Sequence, residues 1–286
     1  MSLQYLSEIT INSLIRLALS EDVGEGDHSS LSCIPEDNTS TAILLAKASG
    51  VIAGISLSER IFLMVDESLR FNTKTRDGKH VKVGDVIMEI SGNSRSILKA
   101  ERLVLNCMQR MSGIATLTSE YVQAVAGTKV KILDTRKTTP NFRPFEKWAV
   151  VIGGGTNHRY NLADMIMLKD NHIDCAGGIE QAVANVKSYK KDNNLSIGVE
   201  VETRDLDEVK QLLKCEGVQR VMLDNMTNEE MAEAVSLIGD KMEIEASGGI
   251  TLETIKSVAE TGVDFISVGA LTHSYKSLDL SLVIKM

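Results

Sequence analysis

The chain has 286 residues, 43% of them apolar and 24% charged, and carries a formal net charge of −8. That length allows one large domain or two ordinary ones, with the composition of a soluble globular protein. The acidic balance excludes a general nucleic-acid surface, which needs a basic face, but leaves room for a small cationic pocket.

From the amino terminus, SEITINSLIRLALSED places Ile9, Ile11, Leu14, Ile15, Ala18 and Leu19 largely on one face, which predicts a helix. GEGDHSS reads as a loop. TAILLAKASGVIAGI reads as two strands around Ser49-Gly50. SLSERIFLMVDESL predicts a short helix with Ser56 or Ser58 as its cap. HVKVGDVIMEISGN reads as a hairpin turning at Gly84-Asp85, and a long helix is expected over 96–127. This is an α+β pattern.

From residue 130 the texture becomes regular. VKILDT, ADMIMLKD, LSIGVEVE, RVMLDN, MEIEAS and DFISVGA read as strands. GGIEQAVANVKSYKKD, RDLDEVKQLLKC, TNEEMAEAVSLIG and TLETIKSVAETG read as helices between the later ones. Such alternation implies a parallel sheet with helices outside. Near-constant spacing suggests a closed or nearly closed barrel, with a doubly wound open sheet as the alternative.

In a barrel the functional groups collect at the carboxyl ends of the strands. Those ends deliver, in order, Asp134, Thr135, Arg136 and Lys137; then Lys169, Asp170 and Asn171; then Glu200 and Glu202; then Asp224 and Asn225; then Ser247-Gly248-Gly249; and last Val268-Gly269-Ala270. Cations come first, carboxylates next and small residues last. Arg136, Lys137, Arg159 and Lys169 suit a ligand with several negative charges. Glu200 and Asp224 suit the hydroxyls of a ribose, directly or through Mg²⁺. The two small-residue ends, each between a strand and a helical segment, suit a phosphate. The set describes an anionic acid, a sugar and a phosphate.

Taken singly, each group has a plainer reading. A strand-end Lys or Arg is more often a solvated rim residue, and an SGG is usually a turn. His158 alone is more often structural than catalytic. GGG at 153–155 lacks the order of a dinucleotide fingerprint. Met108 and Met111 read as core or interface packing, and His28, His80 and His273 stay unassigned. The four cysteines, Cys33, Cys107, Cys175 and Cys215, are isolated in sequence and read as free buried thiols rather than a zinc or disulfide framework. No secretory signal and no membrane-spanning run is read, so the expected compartment is the cytoplasm. It is the order of the strand ends that points to an enzyme handling an anion and a phosphate.

At these positions the chain also resembles a known family. SEDVGEGDHSS near the start, AERLVLNCMQRMSGIAT at 100–116, ILDTRKTTP at 132–140, GGGTNHR at 153–159, MLKDNH at 167–172, VEVE at 199–202, LDN at 223–225, EASGGI at 245–250 and ETGVDFISVGALTHS at 260–274 look like quinolinate phosphoribosyltransferase. Asn141 and Asn161 stand where that family usually shows Gly. Asn tolerates the left-handed backbone region best of the other residues, so the loop shapes are expected to survive.

The resemblance implies an N-terminal α/β sandwich over 1–110, an incomplete α/β barrel over 111–275, and a C-terminal segment, 276–286, returning to the first domain. It implies conversion of quinolinate and phosphoribosyl diphosphate to nicotinate mononucleotide, CO₂ and diphosphate, with Mg²⁺. By similarity Arg102, Thr135, Arg136, Lys137, His158, Arg159 and Lys169 bind the pyridine dicarboxylate, with Lys137 or Lys169 near its C2. Glu200 and Asp224 serve the ribose and Mg²⁺. Ser247, Gly248, Gly249, Val268, Gly269 and Ala270 hold the 5′-phosphate. It further implies a head-to-tail homodimer in which Arg102 reaches the partner's pocket, with a hexamer as the alternative assembly, and no nucleic-acid or membrane partner. Two rival readings are a related phosphoribosyltransferase acting on nicotinate or another acid, and a non-catalytic sensor of phosphorylated metabolites. The full cation set fits two carboxylates better than one, and a sensor has no need of Glu200 and Asp224.

Overall fold

A computed structural model describes residues 5–285, and the chain packs as two units. The first comprises the residues up to Ser119, Thr138–Gly154 and the residues from Leu271 on; the second comprises Glu120–Lys137 and Gly155–Ala270. The boundary expected at 110–111 thus falls inside a helix, and the packing divides that helix later.

In the first unit, α1 (Glu8–Val23) is capped by Ser7, whose hydroxyl accepts the Thr10 amide. The expected loop at GEGDHSS ends at Asp27, which caps a further short helix, α2 (His28–Cys33). Strands β1 (Thr39–Ala46) and β2 (Gly50–Val51) flank the Ser49-Gly50 turn. Helix α3 (Ile55–Val65) begins at Gly54, at φ 94, and has no cap from Ser56 or Ser58. Its first amide, Ile55 N–H, instead donates to the Asp77 carboxylate at 2.9 Å, so a distant acid does the work expected of a local serine.

Strand β3 (Arg70–Thr73) was not expected from the sequence, and the predicted hairpin does not form. Strand β4 (His80–Val81) pairs with β2, while β5 (Val86–Asn93) pairs with β1 and β3. The turn at Gly84, φ 91, is as expected but joins two different sheets. The long helix α4 spans Ser94–Ala124. Its Met108 and Met111 are fully buried, as core residues. Helix α5 covers Arg143–Ile152. The last strand, β12 (Leu280–Ile284), pairs antiparallel with β1, giving the sheet order β12-β1-β5-β3.

Arg110 and Glu146 tie α4 to α5. Glu146 is fully buried, with Arg110 Nη2 3.1 Å away, and its second oxygen accepts the Thr139 amide at 3.0 Å. Arg110 also lies over the rings of Phe142 and Tyr275, each centroid 5.3 Å away. Removing the arginine strands a buried carboxylate, so Arg110→Ala is expected to cost about 3 kcal/mol, read as a lower urea midpoint at unchanged slope.

The second unit is built on six parallel strands: β6 (Lys131–Leu133), β7 (Met165–Leu168), β8 (Gly198–Thr203), β9 (Arg220–Asp224), β10 (Glu243–Ser247) and β11 (Phe265–Ser267). All six match the strands read from sequence. Helices α6 (Asp170–Ala176), α7 (Ile179–Asp192), α8 (Leu206–Leu212), α9 (Asn228–Ile238) and α10 (Ile255–Glu260) alternate with them, and the short α11 (Ala270–His273) follows β11.

The strand order is β6-β11-β10-β9-β8-β7. From β7 to β11 each strand lies beside its predecessor, and β6 then joins β11. That is a ring opened at one seam, between β6 and β7, whereas a doubly wound sheet would reverse direction part way. The incomplete barrel is therefore the correct alternative. At the seam, Thr156 forms a parallel bridge to Leu133 on the free edge of β6.

Candidate active site

Each strand end carries the residues expected there, with one exception. Asp134 follows β6 and is fully buried; its carboxylate accepts the His158 amide at 2.8 Å and the Asn157 side chain at 2.6 Å. The turn bearing Arg136 and Lys137 is thereby bonded to the seam segment bearing His158 and Arg159. Within the turn, Lys137 N–H donates to the Thr135 hydroxyl at 3.0 Å, and Lys137 itself is exposed. Arg159 is half-buried and donates to the Met165 carbonyl at 3.1 Å. Burial and the nearby Arg136 guanidinium hold Arg159 below its usual range. The two like charges repel each other, and an anion between them would relieve both. Lys169, at the end of β7, reaches Glu202 at 3.0 Å.

The exception is Glu200. It lies in the middle of β8 rather than at its end, and is fully buried. Its Oε2 is 3.0 Å from His158 Nε2, and Glu245 Oε2 of β10 is 3.4 Å from the same nitrogen. The third strand's rim carboxylate is Glu202. On the other side of the ring, Nδ1 accepts the Arg159 amide at 2.7 Å, which holds the proton on Nε2, facing the carboxylates. Burial opposes a second proton, but the two carboxylates draw it to the ring against that effect, raising its pKa. Taking that proton would break the Arg159 amide bond, so the geometry favours the singly protonated ring. Burial and the neighbouring Glu245 push Glu200 up. For Glu245, burial is outweighed by His158, Ser267 and Arg220, and its pKa is lowered. The donor atoms of His158, Glu200 and Glu245 lie within 4.8 Å of one another, a spacing a metal could use. At Glu245 the positive charge already comes from Arg220, at 3.2 Å.

At the end of β9, Asp224 is half-buried and accepts from the Asn225 side chain at 2.8 Å. Asn225 has a φ of 55, and its amide donates to the Ser247 carbonyl at 2.9 Å. Gly248 lies directly against it: a Cβ there would meet Asn225 Oδ1 at 2.2 Å. A Cβ on Gly249, by contrast, would meet nothing within 4 Å, so open space lies over that turn. Helix α10 does not begin until Ile255. Any phosphate at Ser247–Gly249 would therefore be held by the turn and not by the helix end expected there.

Arg102 is exposed on α4, in the first unit, and so is not among the second unit's strand-end residues. Asn141 has a φ of 61, as expected for a position that suits Gly; Asn161 has no positive φ and needs no such tolerance. The cysteines are all free, but only Cys107 is buried, while Cys33 and Cys175 are exposed, contrary to expectation. Sequence reasoning missed the roles of Asp134, Arg220 and Glu245. The available signal was a charged residue in or beside a buried parallel strand: Glu245 within EIEAS, Arg220 at the head of RVMLD and Asp134 just after KIL, each of which is rare without a partner.

The chain matches the family model for the quinolinate phosphoribosyl transferase N-terminal domain over residues 27–112 and that for the C-terminal domain over residues 114–283. It is 48% identical over 289 residues to the chloroplastic nicotinate-nucleotide pyrophosphorylase [carboxylating] of Arabidopsis thaliana, covering 96% of this chain and 82% of the relative. The solved structure of NadC from Streptococcus pyogenes is similar at a TM-score of 0.92 and 40% identity, over 98% of this chain and 99% of that one. The nicotinate-nucleotide pyrophosphorylase of Francisella tularensis gives 0.92 and 38%, over 100% and 99%.

Proposed function

Because this chain belongs to the quinolinate phosphoribosyltransferase family, we infer that it transfers phosphoribosyl from 5-phosphoribosyl-1-diphosphate to quinolinate with decarboxylation, giving nicotinate mononucleotide, CO₂ and diphosphate in NAD biosynthesis. The observation that carries this reading is the buried Asp134 carboxylate, which bonds the turn bearing Arg136 to the segment bearing half-buried Arg159, in the same unit as Lys169: cations gathered for a compact polyanion.

The roles follow from charge. Arg136, Arg159 and Lys169 hold the two carboxylates of the acid, with Thr135, Lys137 and His158 around them, and turn its ring nitrogen toward the ribose C1. Ser247, Gly248, Gly249, Val268, Gly269 and Ala270 hold the 5′-phosphate. Asp224, and Glu200 from below, offer negative charge to the ribose as the diphosphate departs and positive charge grows at C1. Once the nitrogen has attacked, the ring is cationic and its C2 carboxylate can leave as CO₂, the electron pair remaining on C2. Lys137 or Lys169 then supplies the proton that C2 takes up. No covalent enzyme intermediate is required, and orientation of the two substrates does much of the work.

Magnesium is part of this proposal. Asp224 fits it as a hard oxygen donor at the rim, whereas Glu200, turned inward onto His158, fits only through an intervening water. Bound there, the ion would stabilise the departing diphosphate.

Among the described residues, no helix is long and apolar enough to cross a membrane. The cytoplasm is the proposed compartment, supported by exposed free thiols at Cys33 and Cys175. Plant relatives are themselves named as chloroplastic or mitochondrial. Homodimeric assembly is likewise proposed, with Arg102 completing the partner's site.

The test is to mix pure protein with quinolinate, phosphoribosyl diphosphate and Mg²⁺ and follow loss of quinolinate and release of CO₂. Nicotinate, with one carboxylate, should be a very poor substrate, since a desolvated guanidinium would lose its partner at about 2–5 kcal/mol. Comparable turnover of the two acids would favour a phosphoribosyltransferase of different specificity.

A further inference from the structure

The interior of the second unit's sheet holds two charges, Glu245 and Arg220, that the chemistry above does not use. Barrel interiors of this kind are ordinarily filled by branched apolar side chains. Here Glu200 and Glu245 are fully buried on β8 and β10, and His158 stands against both. Behind Glu245 comes Arg220 of β9, with Nη1 3.2 Å from its Oε2. Arg220 is fixed in turn by Glu243, at 2.9 Å, and by the Phe265 ring, 4.1 Å from its guanidinium carbon. Burying this many ionisable groups is costly, and apolar residues of similar volume would serve stability as well or better. A column of this composition points to what it holds in place.

What it holds is the His158 ring. Nε2 stands 3.0 Å from Glu200 and 3.4 Å from Glu245, so the ring is set between two carboxylates, and Nδ1 is aligned with the Arg159 amide at 2.7 Å. The same segment is fixed from its other side by Asp134, which accepts the His158 amide at 2.8 Å. Arg159 thus leaves the seam in a set direction, with its guanidinium on the Met165 carbonyl and close to Arg136. Glu200 alone could follow a rotating ring. Glu245 could not, because Arg220 holds its carboxylate from behind.

We propose that Glu245, backed by Arg220, is a positioning residue for acid recognition: through His158 it fixes the backbone from which Arg159 reaches the dicarboxylate. This rests on the function proposed above. Glu245 touches neither substrate; its effect falls first on the acid, because His158 and Arg159 are the groups it orients, whereas the donor's rim residues Asp224 and Ser247 are set by the ends of β9 and β10 themselves.

The experiment measures both Michaelis constants, and calorimetric binding of quinolinate, for the wild-type protein, Glu245→Gln and the double variant Arg220→Met with Glu245→Met. The double variant replaces an ion pair with apolar volume and should fold even if the single variant is unstable. In both, KM for quinolinate should rise by about tenfold or more while KM for phosphoribosyl diphosphate stays within about twofold. The proposal is overturned if the double variant melts at the wild-type temperature and keeps the wild-type KM for quinolinate. A parallel rise in both constants would also overturn it, since that is what a merely structural role produces. Failure of the wild-type protein to bind or consume quinolinate would refute the functional reading itself, and is seen before any variant is made.

Discussion

Lys169→Ala is expected to lower kcat/KM for quinolinate by about a hundredfold or more, as for loss of a charge that acts on the transition state. The lysine sits at the open edge of β7 and is held by Glu202 at 3.0 Å, so its ammonium is fixed before substrate arrives. Removing it leaves Glu202, which is buried, facing the acid, and adds repulsion to the lost attraction. Asp224→Ala should cost about as much, but at the other end of the reaction: KM for phosphoribosyl diphosphate and the dependence on Mg²⁺ should change, while quinolinate binding should not. Steady-state kinetics with each substrate varied in turn, and with Mg²⁺ varied separately, read both effects. Unchanged Mg²⁺ dependence in an active Asp224→Ala protein would show that the metal and ribose assignments are wrong.

A larger recovery is expected from two dead proteins mixed. Arg102→Ala and Lys169→Ala should each be nearly inactive as homodimers, because every site lacks one residue. Arg102 is exposed on α4, which suits a residue that acts on a second subunit. After co-expression at equal levels, random pairing gives mixed dimers in which one site carries both lesions and the other carries none. About a quarter of wild-type activity should return. If Arg102 served its own subunit, every site would still carry one lesion, and proven mixed dimers without recovery would refute the shared site.

The second unit was legible in the sequence because most of its strands read as short runs rich in branched apolar residues that alternate with amphipathic helical stretches. The first unit was less so. RFNT, which forms β3, is exposed at three of its four positions and shows no alternation. The 80–93 stretch has hairpin chemistry, yet its two strands find partners in different sheets, a choice made by tertiary packing. Glu200 was assigned to the rim because VEVE offers two acids two residues apart; only the fold tells which one lies a layer deeper. The link of Glu245 to His158 joins residues remote in the chain, and no local pattern announces it. Asn225 behaves similarly: nothing in LDN requires a φ of 55, and the reason is the close approach of Gly248.

The unclosed seam divides the labour of recognition. Arg102 apart, the cations assigned to the acid come from β6, β7 and the segment crossing the gap, while the groups assigned to the sugar and phosphate come from the run β8–β11. A strand inside the sheet is held by ladder bonds on both sides, whereas the edge strands β6 and β7 are held on one side only. Acid preference in this scaffold is therefore expected to be tunable apart from donor binding. Substitutions confined to the edge turns after β6 and β7 should retune which acid is accepted while leaving the phosphoribosyl half in register, so a library aimed at new pyridine or imidazole acids belongs at the seam.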